Sequence, residues 1–385
     1  MTWRRGLMRA ARWIGALVVI AMCVTVVDAW KPMGHRAEGS RRERMERSPE
    51  WKDGHFENPQ PLINDIWGSV TAMSHPSPEV SPRQPVPTVA GNRQRFETPP
   101  ASGLRVTWLG HSSTLIEIDG HRVLTDPVWS DRASPLSWAG PGRWYPPPIP
   151  FGELPAIDAV VISHDHYDHL DYGTISAMKD WNTTFIVPLG VGAHLASWGV
   201  PAAHIVELDW WERTQVGGLE VVCTPARHAS GRTGLDKDAK LWAGYALMGP
   251  QHRVYYSGDT GLFPAMKDIG ARLGPFDLTM IEVGQYHKAW PDWHIGPEQA
   301  VMAHRMVRGR VLLPVHWGLF ALAAHGWTEP IERVLASAAQ TGETVIAPRP
   351  GQSVEPSAPP VLERWWPELP WKTGAQDPIV STQMN

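Results

Sequence analysis

Strand-like stretches separated by turn residues recur along the chain, and the first clear pair predicts a β-hairpin. Residues 115–118 and 121–124 are two such stretches, and the dipeptide Asp119-Gly120 lies between them. Type I′ turns prefer this dipeptide because both central residues must adopt a positive φ. The pattern therefore predicts two antiparallel strands joined by a tight turn.

Further along, strand-like and helix-like stretches alternate. The pattern predicts a strand over residues 184–187, a short helix over 192–198, a longer helix over 297–308 and a strand over 310–315. Hairpins followed by alternating strands and helices fit a mixed α/β sandwich better than an all-parallel sheet.

Length and composition allow one large core with extensions at both ends. The chain has 385 residues, 43% of them hydrophobic. We place the folded domain at residues 101–350, a usual size for one domain. Residues 30–100 are rich in proline and charge, which predicts an extension that is part linker and part packed on the core, and residues 351–385 are expected to form a tail. The formal net charge of −4 makes a nucleic-acid partner unexpected, because such domains usually carry a basic excess.

The N-terminus has the composition of a targeting segment. Arginines at positions 4, 5, 9 and 12 precede an apolar run at residues 13–27, and the small-residue site Val27-Asp28-Ala29 follows. This predicts a secretory signal peptide or an uncleaved membrane anchor over residues 1–29. We therefore expect an exported or inner-membrane-anchored protein, on the periplasmic side if the source is bacterial.

The densest candidate chemistry is the six-residue stretch from His164 to His169, with three histidines and two aspartates. It follows the apolar run 159–163, which predicts a buried strand ending in a tight loop. Alternate side chains would point to the same side, so His164 and His166 could hold one cation while Asp168 and His169 hold a second. Surface histidines or a purification tag would lack both the interleaved acids and the preceding strand.

Three further candidate ligands, His228, Asp259 and His316, each follow an apolar strand-like run. An α/β fold places its sites at such strand ends. The sequence thus predicts two coordination sets, bridged by Asp259: His164, His166 and His228 around one metal, and Asp168, His169 and His316 around the other. These sets leave room for a bridging water, as a catalytic site requires. We expect two Zn²⁺ ions, although Fe or Mn could occupy similar nitrogen and oxygen ligands.

Several motifs around these ligands are distinctive. They are Trp108-Leu109-Gly110-His111-Ser112-Ser113, Leu124-Thr125-Asp126-Pro127, Arg132-Ala133-Ser134-Pro135, Glu207-Leu208-Asp209-Trp210-Trp211-Glu212, Gly274-Pro275-Phe276-Asp277-Leu278 and Val315-His316-Trp317-Gly318-Leu319-Phe320-Ala321-Leu322. From about residue 56 to about residue 350 the chain resembles the metallo-β-lactamase superfamily, and specifically its N-acyl-phosphatidylethanolamine-hydrolysing phospholipase D branch.

The resemblance implies an αββα sandwich, in which two mixed β-sheets pack face to face, helices flank them and a dinuclear metal site lies at one edge. It also implies hydrolysis of N-acyl-phosphatidylethanolamine, or a related phospholipid, to phosphatidic acid and an N-acylethanolamine. A metal-bridged hydroxide would attack phosphorus, with Asp168 orienting it. Two cations, two aspartates and the hydroxide leave about one positive charge to attract an anionic diester.

His294 matches a family histidine near the phosphate, and we expect it to donate to a phosphoryl oxygen or to protonate the leaving alkoxide. The alternative is a helix-start histidine satisfied by the backbone. Trp290 and Trp293, in the same region, are expected to contact the substrate. His111 and Asp165 are expected to support the ligands rather than to bind metal.

Apolar residues outside these motifs suggest contact with a lipid surface. Of the 21 tryptophans, Trp129, Trp138 and Trp144, with Tyr145, could form a lip at a membrane interface, although ordinary packing is favoured. Residues 56–73 carry spaced apolar side chains that suit one helical face. We expect this face to pack on the sandwich, and the alternative is an acyl-chain groove or a subunit contact in a homodimer.

Three classes of function remain open. The first is the zinc phosphodiesterase of phospholipase D type. The second keeps the metallohydrolase chemistry but acts on a lactone, a β-lactam or a nucleotide phosphodiester, because one fold hosts many activities. The third, a non-enzymatic scaffold, would need a broken ligand set, and all seven positions are filled.

Overall fold

The computed structural model describes residues 2–384. The helices are α1 Thr2–Trp30, α2 Gly39–Met45, α3 Ile66–Ser74, α4 Tyr172–Met178, α5 Gly192–Ser197, α6 Met266–Leu273, α7 Pro297–Met306 and α8 Glu329–Thr341. The strands are β1 Trp51–Lys52, β2 His55–Phe56, β3 Leu104–Gly110, β4 Ser113–Ile118, β5 His121–Thr125, β6 Ala159–Val161, β7 Thr184–Pro188, β8 Ile205–Leu208, β9 Arg213–Val216, β10 Leu219–Thr224, β11 Gly244–Met248, β12 Arg253–Tyr256, β13 Leu278–Glu282, β14 Val311–Val315, β15 Thr344–Val345 and β16 Ser353–Val354.

Two seven-stranded sheets form the body of the molecule. The first has the strand order β16-β3-β4-β5-β6-β7-β8, and the second has the order β15-β14-β13-β12-β11-β10-β9. Within the first sheet, β3, β4 and β5 pair antiparallel, whereas β5 to β8 pair parallel. The second sheet has the same two parts, antiparallel from β9 to β12 and parallel from β12 to β15. The predicted mixed α/β sandwich is confirmed.

Alternating side chains divide the core into layers. On β4, Ile116 belongs to the large cluster that includes Tyr245 of the second sheet, whereas Leu115 belongs to a separate cluster with Ile175 of α4. Successive side chains of a strand point to opposite faces, so one face packs against the other sheet and one against helices. This is the two-sheet, helix-flanked arrangement that the family resemblance implied.

Local signals gave accurate elements in the body of the fold. The turn between β4 and β5 has φ of 47° at Asp119 and 86° at Gly120, as a type I′ turn requires. The strand predicted over 184–187 and the helix predicted over 297–308 each agree with the structure to within two residues. Asp171 precedes α4, and its carboxylate accepts hydrogen bonds from the backbone N–H groups of Gly173 and Thr174.

Both terminal extensions pack against the sandwich. Met45 and Phe56 of the N-terminal extension are buried in the main cluster. At the other end, β16 pairs with β3, and the Trp365 ring stacks on Trp317 at a centroid distance of 5.4 Å. The packed unit therefore continues beyond residue 350, where the sequence suggested that the domain ends.

The N-terminal helix α1 contains a stretch that is long and apolar enough to cross a membrane. This stretch is Arg12–Trp30, with a mean hydropathy of 2.1. A secretory signal sequence has the same properties, so the finding fits both alternatives. The end of the helix contacts the body, because the Asp28 carboxylate accepts hydrogen bonds from the backbone N–H and the hydroxyl of Ser137.

Helix α3 differs from the expectation. All nine of its residues are exposed or half-exposed, and the apolar side chains include Ile66, Trp67, Val70 and Met73. We had favoured packing of this apolar face on the sandwich, and the structure contradicts that prediction. The helix is held instead at its N-terminal end, where Asp65 caps it and donates its backbone N–H to the carbonyl of Ala289.

The tryptophan lip is only partly exposed. Tyr145 is buried and Trp129 and Trp144 are half-buried, which agrees with the favoured packing role. Trp138 is the exception, with 60% of its surface exposed.

Candidate metal centre

The seven predicted ligands converge at the carboxyl ends of strands from both sheets. The loop with His164 to His169 follows β6 of the first sheet. His228, Asp259 and His316 follow β10, β12 and β14 of the second sheet. Residues that are distant in the sequence meet here because each follows a strand that ends at the same edge of the sandwich. The cluster therefore lies where the two sheets share an edge.

The first predicted set is compact. His164 Nε2 lies 2.8 Å from His166 Nδ1, which lies 3.3 Å from His228 Nε2. Ligand nitrogens about 2.05 Å from a tetrahedral Zn²⁺ would be about 3.3 Å apart, so these separations suit one cation. Burial and the neighbouring imidazoles of His169 and His166 lower the pKa of His164 well below its ordinary value, which leaves a lone pair for a metal.

The second predicted set has similar spacings. Asp168 Oδ2 lies 3.3 Å from His169 Nε2 and 3.3 Å from His316 Nε2. Asp259 Oδ2 lies 3.1 Å from His169 Nε2 and 3.0 Å from His316 Nε2. It also lies 3.9 Å from His164 Nε2. Asp259 therefore sits between the two sets, as a bridging ligand would.

Unpaired buried atoms indicate that the cluster fits divalent cations. Among the described residues, His169 Nε2 and Asp259 Oδ1 are buried without a hydrogen-bond partner. The Nδ1 of His169 faces Asp126 Oδ2 at 2.6 Å, so its Nε2 is free to be a metal ligand. A lone pair on His169 Nε2 and the carboxylate of Asp259 would repel each other unless a cation lay between them. Bound metal ions would supply that cation.

The same crowding of carboxylates affects the histidine pKa values. Burial lowers the pKa of His316, but Asp259 and Asp168 act more strongly, and its pKa rises to about 10. Burial likewise opposes the effect of Asp259 and Asp168 on His169, whose pKa lies well above its ordinary value. These imidazoles are therefore in a field that favours positive charge.

Asp126 is a supporting residue that we did not single out as part of the site. Its carboxylate accepts hydrogen bonds from the Tyr256 hydroxyl at 2.5 Å and the Ser163 backbone N–H at 2.7 Å, besides facing His169. Such outer partners fix the orientation of a ligand ring. The signal was an acid directly after a strand and before a proline, within a motif that we quoted only for the resemblance.

His111 contacts the cluster directly. Its Nε2 lies 2.9 Å from Asp168 Oδ2, and its ring centroid lies 4.1 Å from that of His316. Burial and the neighbouring His316 lower the pKa of His111 to about 3, so it is neutral at pH 7. Both His111 and His316 have positive φ, a costly conformation for residues other than glycine that is concentrated at functional sites.

Glu282, which the sequence analysis did not identify, lies against His294. His294 Nδ1 is 2.8 Å from Glu282 Oε2, and Glu282 Oε1 accepts the backbone N–H of Thr260. Burial and the Asp259 carboxylate raise the pKa of Glu282 well above its ordinary value. Burial lowers the pKa of His294 to about 4 against the opposing effect of Asp259. His294 therefore has a side-chain partner, and the backbone-satisfied alternative does not hold.

A cavity of about 420 Å³ opens onto the cluster. Its walls include the three residues predicted to contact the substrate, Trp290, Trp293 and His294. The other lining residues are Asn64, Ser69, His166, Asp168, Asp259, Gln285, His316 and Leu322. Ser69 belongs to α3, so this helix borders the cavity mouth.

Comparison with known proteins identifies the family. The beta-lactamase superfamily domain profile matches residues 121–317. An uncharacterized protein of Mycobacterium tuberculosis is 50% identical over 341 residues, which are 85% of this chain and 90% of that protein. N-acyl-phosphatidylethanolamine-hydrolyzing phospholipase D 1 of Caenorhabditis elegans is 41% identical over 234 residues, 57% of this chain and 65% of that protein.

Among solved structures, a metallo hydrolase of the archaeon Ignicoccus hospitalis aligns with a TM-score of 0.50 at 24% identity, covering 65% of this chain and 97% of that one. This likeness concerns the fold. The protein belongs to the metallo-β-lactamase superfamily and is a metal-dependent hydrolase of that fold.

Proposed function

We propose that the protein is a phosphodiesterase of phospholipase D type that hydrolyses N-acyl-phosphatidylethanolamine, or a related phospholipid, to phosphatidic acid and an N-acylethanolamine. One observation carries the proposal: the polar centre and the exposed apolar helix α3 border the same cavity. An amphiphile with a phosphodiester next to acyl chains matches that arrangement. The similarity to the phospholipase D of Caenorhabditis elegans supports the same substrate class.

We assign the metal centre to the seven predicted residues, with His164, His166 and His228 in one set, Asp168, His169 and His316 in the other, and Asp259 between them. Two Zn²⁺ ions suit these nitrogen and oxygen donors, and Fe or Mn are the alternatives. When bound, two divalent cations lower the pKa of a shared water and polarise a phosphoryl oxygen. Asp168, which is partly open to the cavity, is placed to orient the attacking water.

The net charge of the centre favours an anionic diester. Two divalent cations outweigh the carboxylates of Asp168 and Asp259 by about two charges. In a buried cavity this excess acts through a low dielectric and is screened only weakly by salt. A phosphodiester carries one negative charge, whereas lactones carry none.

His294 is the proposed hydrogen-bond donor on the cavity wall. Because burial and the Asp259 carboxylate raise the pKa of Glu282, we assign its carboxyl group the protonated form, which donates to Nδ1 of His294. The neutral ring then carries its own proton on Nε2, which is available to the cavity. From there it can donate a hydrogen bond to a phosphoryl oxygen or to the leaving-group oxygen, while Trp290 and Trp293 hold the apolar part of the substrate.

The lipid surface is a proposed partner. Ser69 of α3 lines the cavity, and the exposed apolar side chains of the same helix, with Trp67 81% exposed, would contact acyl chains. If α1 is retained as an anchor, it would keep the enzyme exported and attached to the inner membrane. A homodimer stays a prediction from the resemblance.

A substrate panel tests the proposal. Zinc-loaded protein would be incubated with N-acyl-phosphatidylethanolamine, phosphatidylethanolamine, a lactone, a β-lactam and bis-nitrophenyl phosphate, with the His166→Ala variant as control. We expect phosphatidic acid from the first lipid and no activity in the variant. Turnover of the lactone or the β-lactam alone would replace the phospholipase assignment with another metallohydrolase.

A further inference from the structure

The segment that follows the N-terminal helix contacts the metal-bearing loop through two buried side chains. We define residues 31–36 as the connecting segment. Its polar groups meet His194 and Arg232, which are 1% and 5% exposed. Both of these side chains then contact Asp165, the fully buried residue between the ligands His164 and His166.

His194 forms the first connection. The backbone N–H of His35 donates to Nδ1 of His194 at 2.8 Å, which requires a lone pair on that nitrogen. The ring proton must therefore reside on Nε2, which lies 3.2 Å from Asp165 Oδ2. The other oxygen of Asp165 accepts the backbone N–H of Gly231 at 2.7 Å. The backbone of the connecting segment thus determines which tautomer of His194 faces Asp165.

Arg232 forms the second connection. Its Nε–H donates to the carbonyl of Pro32 at 2.8 Å, and its Nη1 donates to the carbonyls of Asp165 at 2.6 Å and Leu170 at 2.9 Å. One carbonyl lies just after the first ligand of the loop, His164, and the other lies just after the last, His169. The guanidinium also lies 4.0 Å from the Tyr167 ring centroid. One arginine thereby ties the connecting segment to the whole ligand loop.

Gly34 makes the close approach possible. Its φ is +74°, and a Cβ atom at this position would lie 1.8 Å from Nδ1 of the His194 ring. Any larger residue would push either the segment or the imidazole away. Gly39, five residues further on, also has a positive φ of +55°, but a Cβ there would meet nothing within 4 Å.

We propose that the connecting segment is a positioning element of the metal centre: through His194 and Arg232 it holds Asp165 and the ligand loop in the geometry that binds metal. This inference rests on the proposed metal centre and is independent of the phospholipid assignment. Events at the end of α1, such as insertion into a bilayer or processing, would then act on the centre through residues 31–36.

Zinc affinity in the full-length chain tests the inference. Gly34→Ala and Gly39→Ala both place alanine at a positive φ, so they share the backbone cost, and only the first disturbs His194. The Zn²⁺ dissociation constant would be measured by competition with a chromophoric chelator, and the melting temperature of the metal-free protein would be measured in parallel. We expect Gly34→Ala to weaken zinc binding about 10–100-fold relative to Gly39→Ala, as removing an outer partner of a ligand does.

Equal zinc affinities in the two glycine variants would overturn the inference. If Gly34→Ala fails to fold, His194→Gln and His194→Leu take its place. The glutamine amide can accept from His35 and donate to Asp165, so it should bind zinc more tightly than the leucine variant does, and equal affinities would again contradict us. The His166→Ala variant distinguishes failure of the positioning role from failure of the proposed metal centre. Unchanged zinc stoichiometry in that variant would show that the proposed metal centre itself is wrong.

Discussion

At the scale of single residues, the contact between Glu282 and His294 decides whether Nε2 of the imidazole is a hydrogen-bond donor or an acceptor. A neutral carboxyl that donates to Nδ1 leaves Nε2–H of the imidazole as a donor, whereas an ionised carboxylate would make Nε2 an acceptor. The raised pKa of Glu282 and the lowered pKa of His294 favour the first arrangement. The two arrangements predict different catalytic activities for a variant in which an amide replaces the carboxyl group of Glu282.

We expect Glu282→Gln to keep catalytic activity within about threefold of wild type. The amide oxygen can accept from Thr260 and the amide nitrogen can donate to His294 Nδ1, so both observed contacts persist. His294→Ala should lose about 10²–10³-fold in kcat, as the removal of one hydrogen-bond donor to a transition-state oxygen does. Both values come from steady-state kinetics on zinc-loaded protein. A hundredfold loss in Glu282→Gln would mean that the ionised carboxylate is required.

A second residue-scale prediction concerns His304 on α7, which lies away from the candidate centre. Its ring is fully buried, its Nδ1 contacts the Thr279 hydroxyl at 2.6 Å, and burial lowers its pKa to about 4. The unfolded chain, with a pKa near 6.5, therefore binds a proton that the folded state excludes, so stability falls as pH drops below about 6.5. Because of His304, the free energy of unfolding should fall by about 2 kcal/mol between pH 7.5 and pH 5.

Urea unfolding of metal-free wild type and the His304→Asn variant at these two pH values measures this effect. The variant should lose about 2 kcal/mol less on acidification, whatever its stability at pH 7.5. An equal loss in both proteins would exclude His304 as the source.

At the scale of elements, helix α3 shows where the hydrophobic pattern of the sequence and the structure differ. The periodicity of residues 56–73 indicated a helix with an apolar face, and the structure has one only over Ile66–Ser74. Periodicity states only that a face is apolar and not what covers it. Strand ends were more informative. Each ligand follows a buried strand, and because both sheets end at one edge, the sequence could predict which residues meet.

The apolar face of α3 should matter only for aggregated lipid. Replacing Trp67 with serine removes a large exposed apolar side chain, worth about 1.5–3 kcal/mol if it is buried in lipid. We expect KM for phospholipid vesicles to rise about tenfold or more while kinetics on bis-nitrophenyl phosphate stay unchanged. Trp138→Ser is the matched control, because Trp138 is also an exposed tryptophan but its segment contributes no residue to the cavity wall, whereas α3 contributes Ser69. If both substitutions raise KM equally, α3 has no special role.

At the scale of the whole molecule, the sequence and its resemblance predicted the architecture and a cluster of candidate ligands, but not the residues that surround them. Glu282 has no local signature, and the signal at Asp126, an acid between a strand and a proline, does not identify its partners, because the importance of both residues arises from contacts with residues distant in the sequence. The tail was equally hidden: Trp365 lies in the core only because the chain returns to stack on Trp317. Sequence spacing therefore predicts the candidate ligands at strand ends. It does not predict residues whose role depends on tertiary contacts.

Metal removal should destabilise the whole molecule. The candidate ligands come from both sheets, and ions that bind only the folded state stabilise it by mass action, by about 4 kcal/mol at a thousandfold excess over the dissociation constant. We expect chelation to lower the melting temperature by roughly 5–10 °C. Calorimetry before and after dialysis against EDTA measures this shift. His166→Ala should show a much smaller shift, and an unchanged melting temperature in wild type would argue against the centre.

The position of the candidate ligands along the chain has a consequence for how the protein opens. In the first set His166 and His228 are 62 residues apart, and in the second set Asp168 and His316 are 148 residues apart. Each cation would thus close a long loop, as a disulfide does, and would restrict the unfolded chain in the same way. A metal-loaded protein should then open first at its termini, whereas the metal-free protein can also separate its two sheets along the edge where the substrate enters.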